Sequence, residues 1–173
     1  LIDTSVAKLL HGDMDHRYTI SAEVVDSSRR TIAGSGSVLV ARAPFSTKVW
    51  LDRGYVRPGE TVNTFFSART LDGRAVTVEG VANLYRVRLG DQGRVEEERV
   101  KSLKVEEGEE GAGRIRFKAP SAGQYRLSVV LRDEKGNEEE GAAVFVIRNV
   151  NDDGGRARFN PLELVPDKRE YKP

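Results

Sequence analysis

The chain has 173 residues, and its 28 basic and 27 acidic side chains leave a net charge of +1. That balance gives no electrostatic case for nucleic acid or for an anionic membrane surface. Cysteine is absent, which excludes disulfides, cysteine-ligated zinc and thiol nucleophiles together, and no apolar run approaches the roughly 20 residues of a membrane-spanning helix.

Hydrophobic residues make up 38% of the chain and charged residues 32%, so each element must wet one side and share one narrow core. The pattern that does this is period-2 alternation. In YTISAEV, Tyr18, Ile20, Ala22 and Val24 fall on one face and Thr19, Ser21 and Glu23 on the other. Further strands are predicted near 46–52, 60–70, 80–89, 94–105, 113–119, 124–133 and 141–148. In GRIRFKA, Ile115, Phe117 and Ala119 point one way and three basic residues the other; Tyr125, Leu127, Val129 and Leu131 alternate likewise. Such strands bury one face, as antiparallel sheets do.

Turn residues separate them. Pro58-Gly59 suits a type II turn, in which proline sets φ and glycine accepts φ > 0. Asp72-Gly73 and Gly136-Asn137 are short-turn dipeptides. SAGQYRL places Tyr125 at the start of the penultimate strand, the position of a tyrosine corner. The predicted fold is all-β: an immunoglobulin/fibronectin-III-like antiparallel β-sandwich of about seven strands.

Two internal repeats set the organisation. Asp52-Arg53-Gly54-Tyr55-Val56-Arg57-Pro58 and Asp167-Lys168-Arg169-Glu170-Tyr171-Lys172-Pro173 share Asp, basic, aromatic, basic and proline, 115 residues apart (167 − 52). YTISAEVVDSSRRTIAGSGSVLVAR (18–42) aligns with YRLSVVLRDEKGNEEEGAAVFVIR (125–148) at an offset of 107 (125 − 18), with one gap. On this register residues 1–43 are the closing strands of a preceding module and 44–150 a complete module. Residues 151–173 are then a linker and the first strand of a following module. The chain is thus expected to be a segment of a longer array.

Candidate chemistry is sparse. His11 and His16, with Asp13 and Asp15, are explained better by a solvated loop than by a metal site. No Gly-x-Ser-x-Gly elbow surrounds a serine, and GSGS (34–37) lacks the lysine and helix of a phosphate loop. The acidic groups Glu96–Glu98, Glu106–Glu110 and Glu138–Glu140 could be carboxylate pairs or calcium ligands. Interleaved charge over 94–110 instead describes an edge strand protected from pairing with other chains. NDDGG (151–155) lacks the further ligands of a calcium-binding connector. Trp50, Tyr55, Tyr85 and Phe159 could stack on sugars, although Trp50 fits a core or a module contact better. No catalytic residues, cofactor or metal ligands are expected.

VWLDRGYVRPGETVNTFFSARTLDGRAV (49–76) resembles the opening of a macroglobulin domain in bacterial alpha-2-macroglobulin-like proteins. Residues 18–40 look like the closing strands of the macroglobulin domain before it, and 164–173 like the start of the segment leading toward the bait region. The family consists of large protease traps, and many capture the protease through a Cys–Gln thioester that a chain without cysteine cannot hold. The resemblance implies a non-catalytic scaffold module in the bacterial periplasm or at the cell surface. Its partners would be neighbouring modules, with the target protease met through the parent protein. Asp52, Arg53, Tyr55, Pro58, Gly59, Tyr125, Asp167, Tyr171 and Pro173 are then structural motif residues. A tandem immunoglobulin-like adhesion or carbohydrate-binding module is the alternative.

The alternating face of 18–24 lacks an opposing sheet in this sequence. At roughly 25 cal/mol per Å² of apolar surface, leaving it wet costs several kcal/mol. The hairpin is therefore expected to pack on the complete module or on a second copy of the chain, a dimer that depends on how much of the array is present.

Overall fold

The alternating segments fold as strands. The structure, a computed structural model, describes residues 5–90, 94–105 and 109–149. A short helix, α1 (Ser5–His11), precedes an antiparallel hairpin of β1 (His16–Val25) and β2 (Thr31–Val40). A second unit follows, comprising β3 (Ser46–Leu51), β4 (Tyr55–Val56), β5 (Thr61–Arg69), β6 (Val78–Leu89), β7 (Val95–Val105), β8 (Ala112–Lys118), β9 (Gly123–Asp133) and β10 (Glu138–Ile147). Each of the seven strands expected for the complete module is present, with ends shifted by three residues at most.

Two sheets divide these strands. β3, β5 and β8 form one, in the order β3-β5-β8, and the other runs β4-β10-β9-β6-β7. Neighbours are antiparallel except β4 and β10, which pair in parallel. The result is an antiparallel immunoglobulin-like β-sandwich. The chain changes sheets after β3, β4, β5, β7 and β8, so sequence neighbours face each other across the core and the alternation of both layers points inward.

Val62, Thr64, Phe66 and Ala68 of β5, with Ile115 and Phe117 of β8, are buried against Ala82, Leu84, Tyr125, Leu127, Val129, Leu131, Phe145 and Ile147. Aromatic rings tie the layers together: Phe145 lies 6.1 Å from Phe117, tilted, and 5.9 Å from Tyr125, stacked. The Tyr125 hydroxyl donates to the Ser121 carbonyl at 2.8 Å. This is the tyrosine-corner bond expected from SAGQYRL, and it leaves no unpaired phenol in the core.

The 107-residue repeat is geometric as well as textual. Adding 107 to each number turns the ten β1–β2 pairs, from His16↔Val40 to Val25↔Thr31, into the ten β9–β10 pairs, from Gly123↔Ile147 to Arg132↔Glu138. The turns match bond for bond. Asp26 Oδ1 accepts from the Ser28 and Arg30 amides, and Asp133 Oδ1 from the Lys135 and Asn137 amides. The backbone bonds Asp26–Arg30 and Asp133–Asn137 repeat as well. The fourth position is left-handed in both, with Arg29 at φ 61° and Gly136 at φ 84°. The gap in the alignment lies beyond the strands, after Val40 and Ile147.

The surroundings of the two hairpins differ. Leu127 and Leu131 are fully buried, while their counterparts Ile20 and Val24 are 52% and 63% exposed. The expectation that the hairpin packs on the complete module is therefore corrected: β1 and β2 remain open to solvent. The physical reason is that the two sheets of the sandwich already cover each other's apolar faces. Their outer faces are largely charged, with Arg126, Glu97 and Glu140 on one side and Arg114, Arg116 and Lys118 on the other. Few exposed apolar side chains such as Trp50 and Val144 lie among them, so they offer an apolar hairpin little to bury against.

Candidate functional site

The singled-out motif, Leu51 to Glu60, is a crossover between sheets. β3 ends at Leu51, paired with Thr64. The Asp52 amide then donates to the Asn63 carbonyl at 3.2 Å, and Asn63 Nδ2 donates to Asp52 Oδ2 at 3.0 Å. These two bonds hold the last residue before the chain leaves the three-stranded sheet. Three residues later Tyr55 and Val56 lie beside Val146 and Ile147 in the other sheet. The Arg148 amide bonds the Val56 carbonyl at 3.0 Å, and the Val56 side chain is 1% exposed.

Pro58 and Gly59 turn the chain back. The Glu60 amide donates to the Arg57 carbonyl at 3.1 Å, with Gly59 at φ 81°, the type II geometry that the dipeptide predicts. The turn is bound to the end of β8 by Gly59 N to the Ala119 carbonyl and Ala119 N to the Glu60 carbonyl. Glu60 also accepts from the Arg57 amide at 3.1 Å and pairs with Arg53 Nη1 at 3.7 Å. Asp52, Arg53, Tyr55, Pro58 and Gly59 thus form one device, and Tyr125 belongs to the core behind it. Asp167, Tyr171 and Pro173 lie outside the described residues. Sequence reading missed β4, because two residues carry no period; only the sheet edge beside β10 makes them a strand.

The acidic groups are largely arginine partners. Arg126 donates Nε and Nη2 to the two carboxylate oxygens of Glu97, each at 2.7 Å, and Nη1 to Glu140 at 2.9 Å. The Ser128 hydroxyl donates to the same Glu140 oxygen at 2.6 Å, and the guanidinium lies 4.9 Å over the Tyr85 ring. The Arg126 bonds hold the Glu97 carboxyl below its ordinary value. The Ser128 hydroxyl first, and then Arg126, do the same for Glu140. In turn Glu97 above all raises the already high pKa of Arg126. Arg88 pairs with Glu98, Arg132 with Glu138 and Arg42 with Glu139. β7 is the exposed edge strand that its interleaved charge predicts.

The remaining candidates do not assemble. His16 Nε2 donates to the His11 carbonyl at 2.8 Å, and Asp15 accepts from the Arg42 amide. Among the described residues no three His, Cys, Asp or Glu side chains come together as a metal site. Trp50 is 43% exposed and stacks on Phe65 at 6.0 Å; it lies on the outer face of its sheet, which corrects the core placement. Tyr85 lies under Arg126 in the other sheet and Tyr55 in the crossover, so these three form no common platform. Residues 106–108, the NDDGG run and Phe159 lie outside the described residues.

No protein-family model matches the chain, and no curated protein matches it. Among solved structures, the sporulation control protein Spo0M of Bacillus subtilis superposes with a TM-score of 0.45 at 13% identity, over 61% of this chain and 50% of that one. A superoxide reductase (neelaredoxin) from Ignicoccus hospitalis gives 0.38 at 11% identity, over 60% and 80% of the two chains. The PKD domain of an M14-like peptidase from Thermoplasmatales archaeon SCGC AB-540-F20 gives 0.36 at 16% identity, over 60% and 94%. Likenesses of this size carry no functional argument. Among the described residues, no helix is long and apolar enough to cross a membrane.

Proposed function

We propose that the chain is a non-catalytic scaffold segment of a bacterial alpha-2-macroglobulin-like protease inhibitor, acting in the periplasm or at the cell surface. The observation that carries the reading is the repeat: a complete sandwich is preceded by a hairpin with the register and turn of its own last two strands. That is the pattern of tandem modules. The crossover at Asp52–Gly59, which resembles the opening of a macroglobulin domain, supports the family within that class. In this role the sandwich shapes the trap and passes rearrangement to its neighbours, while the protease meets other parts of the parent protein.

The test is the parent reading frame together with its product. Further sandwich modules of about 100 residues are expected on both sides, with glycine following Pro173 as it follows Pro58. The full-length protein should co-elute with a protease it has trapped, and this segment alone should leave proteolysis unchanged. A reading frame without further modules, or a full-length protein that traps no protease, overturns the proposal.

A further inference from the structure

The uncovered hairpin has a covered counterpart, so the character of its missing cover can be read from the sandwich. In β10, Gly141 lies where β3 crosses: a Cβ there would meet the Thr47 carbonyl oxygen at 2.6 Å. Its counterpart in β2 is Gly34, where a Cβ would meet nothing within 4 Å. Gly34 weakens its strand, as interior glycines do, and gains no contact in return. In the covered hairpin the glycine at this register position is what admits the backbone of the crossing strand.

The side chains carry a second, independent signal. On the face that packs inward in β9–β10, Tyr125 corresponds to Tyr18 and Leu127 to the isomeric Ile20. Val129, Leu131, Ala143, Phe145 and Ile147 correspond to the smaller Ala22, Val24, Gly36, Val38 and Val40. At the rim, Ile32 takes the place of Glu139. The face carries no Lys, Arg, Asp or Glu, because Arg17 and Glu23 alternate to the other side, and His16 stands at its end in the place of Gly123. Interiors pack to a fixed density, so whatever covers this shallower face must supply the missing volume.

We infer that the apolar face of β1–β2 seats a three-stranded antiparallel sheet like β3–β5–β8. The first strand of that sheet crosses Gly34 at backbone contact, and its facing side chains are bulkier than those of β3–β5–β8. This rests on the tandem-sandwich part of the reading above and not on protease inhibition. The sandwich in this chain cannot serve as the cover, since its own three-stranded sheet is closed by β9 and β10.

Amide hydrogen exchange on the polypeptide that carries this segment, compared with the segment alone, tests the inference. β1–β2 amides are expected to exchange at least about 100-fold more slowly in the longer polypeptide. Gly34→Val should remove at least about tenfold of that protection there, Gly34→Ala less, and Ser35→Val on the opposite face none. In the segment alone, Gly34→Val should leave exchange within about twofold, since its side chain meets no neighbour. Protection that survives Gly34→Val overturns the crossing strand while leaving the tandem array standing. Hairpin amides that stay unprotected in the longer polypeptide overturn the cover itself, and the reading frame then judges the array separately. Protection that grows with concentration in the segment alone makes a second copy the occupant and overturns the proposal.

Discussion

The two hairpins of this protein are one design in two environments. β1–β2 and β9–β10 share ten residue pairs, an aspartate-bound turn and a tyrosine at the same register position. One lies between β4 and β6 and under a second sheet, and the other faces water. Alternation therefore specifies a hairpin and its inner face, but burial belongs to the partner. Most strand stability comes from what packs on the face and pairs at the edges, so equal local structure here carries unequal energy.

Four measurements test how far the two hairpins differ. The largest difference is expected between Leu127→Ala and Ile20→Ala. The first empties a fully buried site and should cost about 2–5 kcal/mol in urea unfolding; the second should fall within about 0.5 kcal/mol. Equal effects would mean that the hairpin is covered in solution.

Gly141→Val comes next. Its side chain must displace the Thr47 backbone, an overpacking expected to cost about 1–3 kcal/mol. An unchanged thermal midpoint would show that β3 can shift away.

Third, Gly136→Arg copies the turn of β1–β2 into β9–β10. A side chain in the left-handed region costs about 1 kcal/mol, a loss that denaturant titration resolves. Arg29→Gly should relieve the same strain in the open hairpin, read as slower exchange of its turn amides.

The smallest effect concerns pH. At the counterparts of Arg126 and Glu140 the open hairpin has Thr19 and Ala33, so it lacks the arginine–carboxylate network that joins β9 to β10 and β7. Glu97 and Glu140 are depressed below the ordinary carboxylate value of 4.5. Their contribution is thus fully present above pH 4.5 and is lost as pH falls through their folded values. Arg126→Gln should flatten the loss of stability between pH 5 and pH 3, about two units around that value. An identical slope in both proteins would remove these carboxylates from the acid response.

Much of the candidate site was legible in the chain. Pro58-Gly59 announced its turn because proline and glycine each restrict or permit φ by covalent structure alone. Asp52 was visible as a repeated letter, but its bond to Asn63 needs β5 alongside. The Arg126–Glu97–Glu140 cluster was read only as interleaved charge, since its members lie on three strands brought together by register.

The all-β class, the positions of seven strands, the turns, the tyrosine corner and the 107-residue repeat can all be read from the chain. These follow from period, φ preference and residue identity, which are local. The division into sheets, the parallel pairing of β4 with β10, the outward Trp50 and the choice of covered hairpin emerge only once the chain is folded. Each of those depends on which surfaces are already occupied, and no stretch of sequence carries that information about its neighbours.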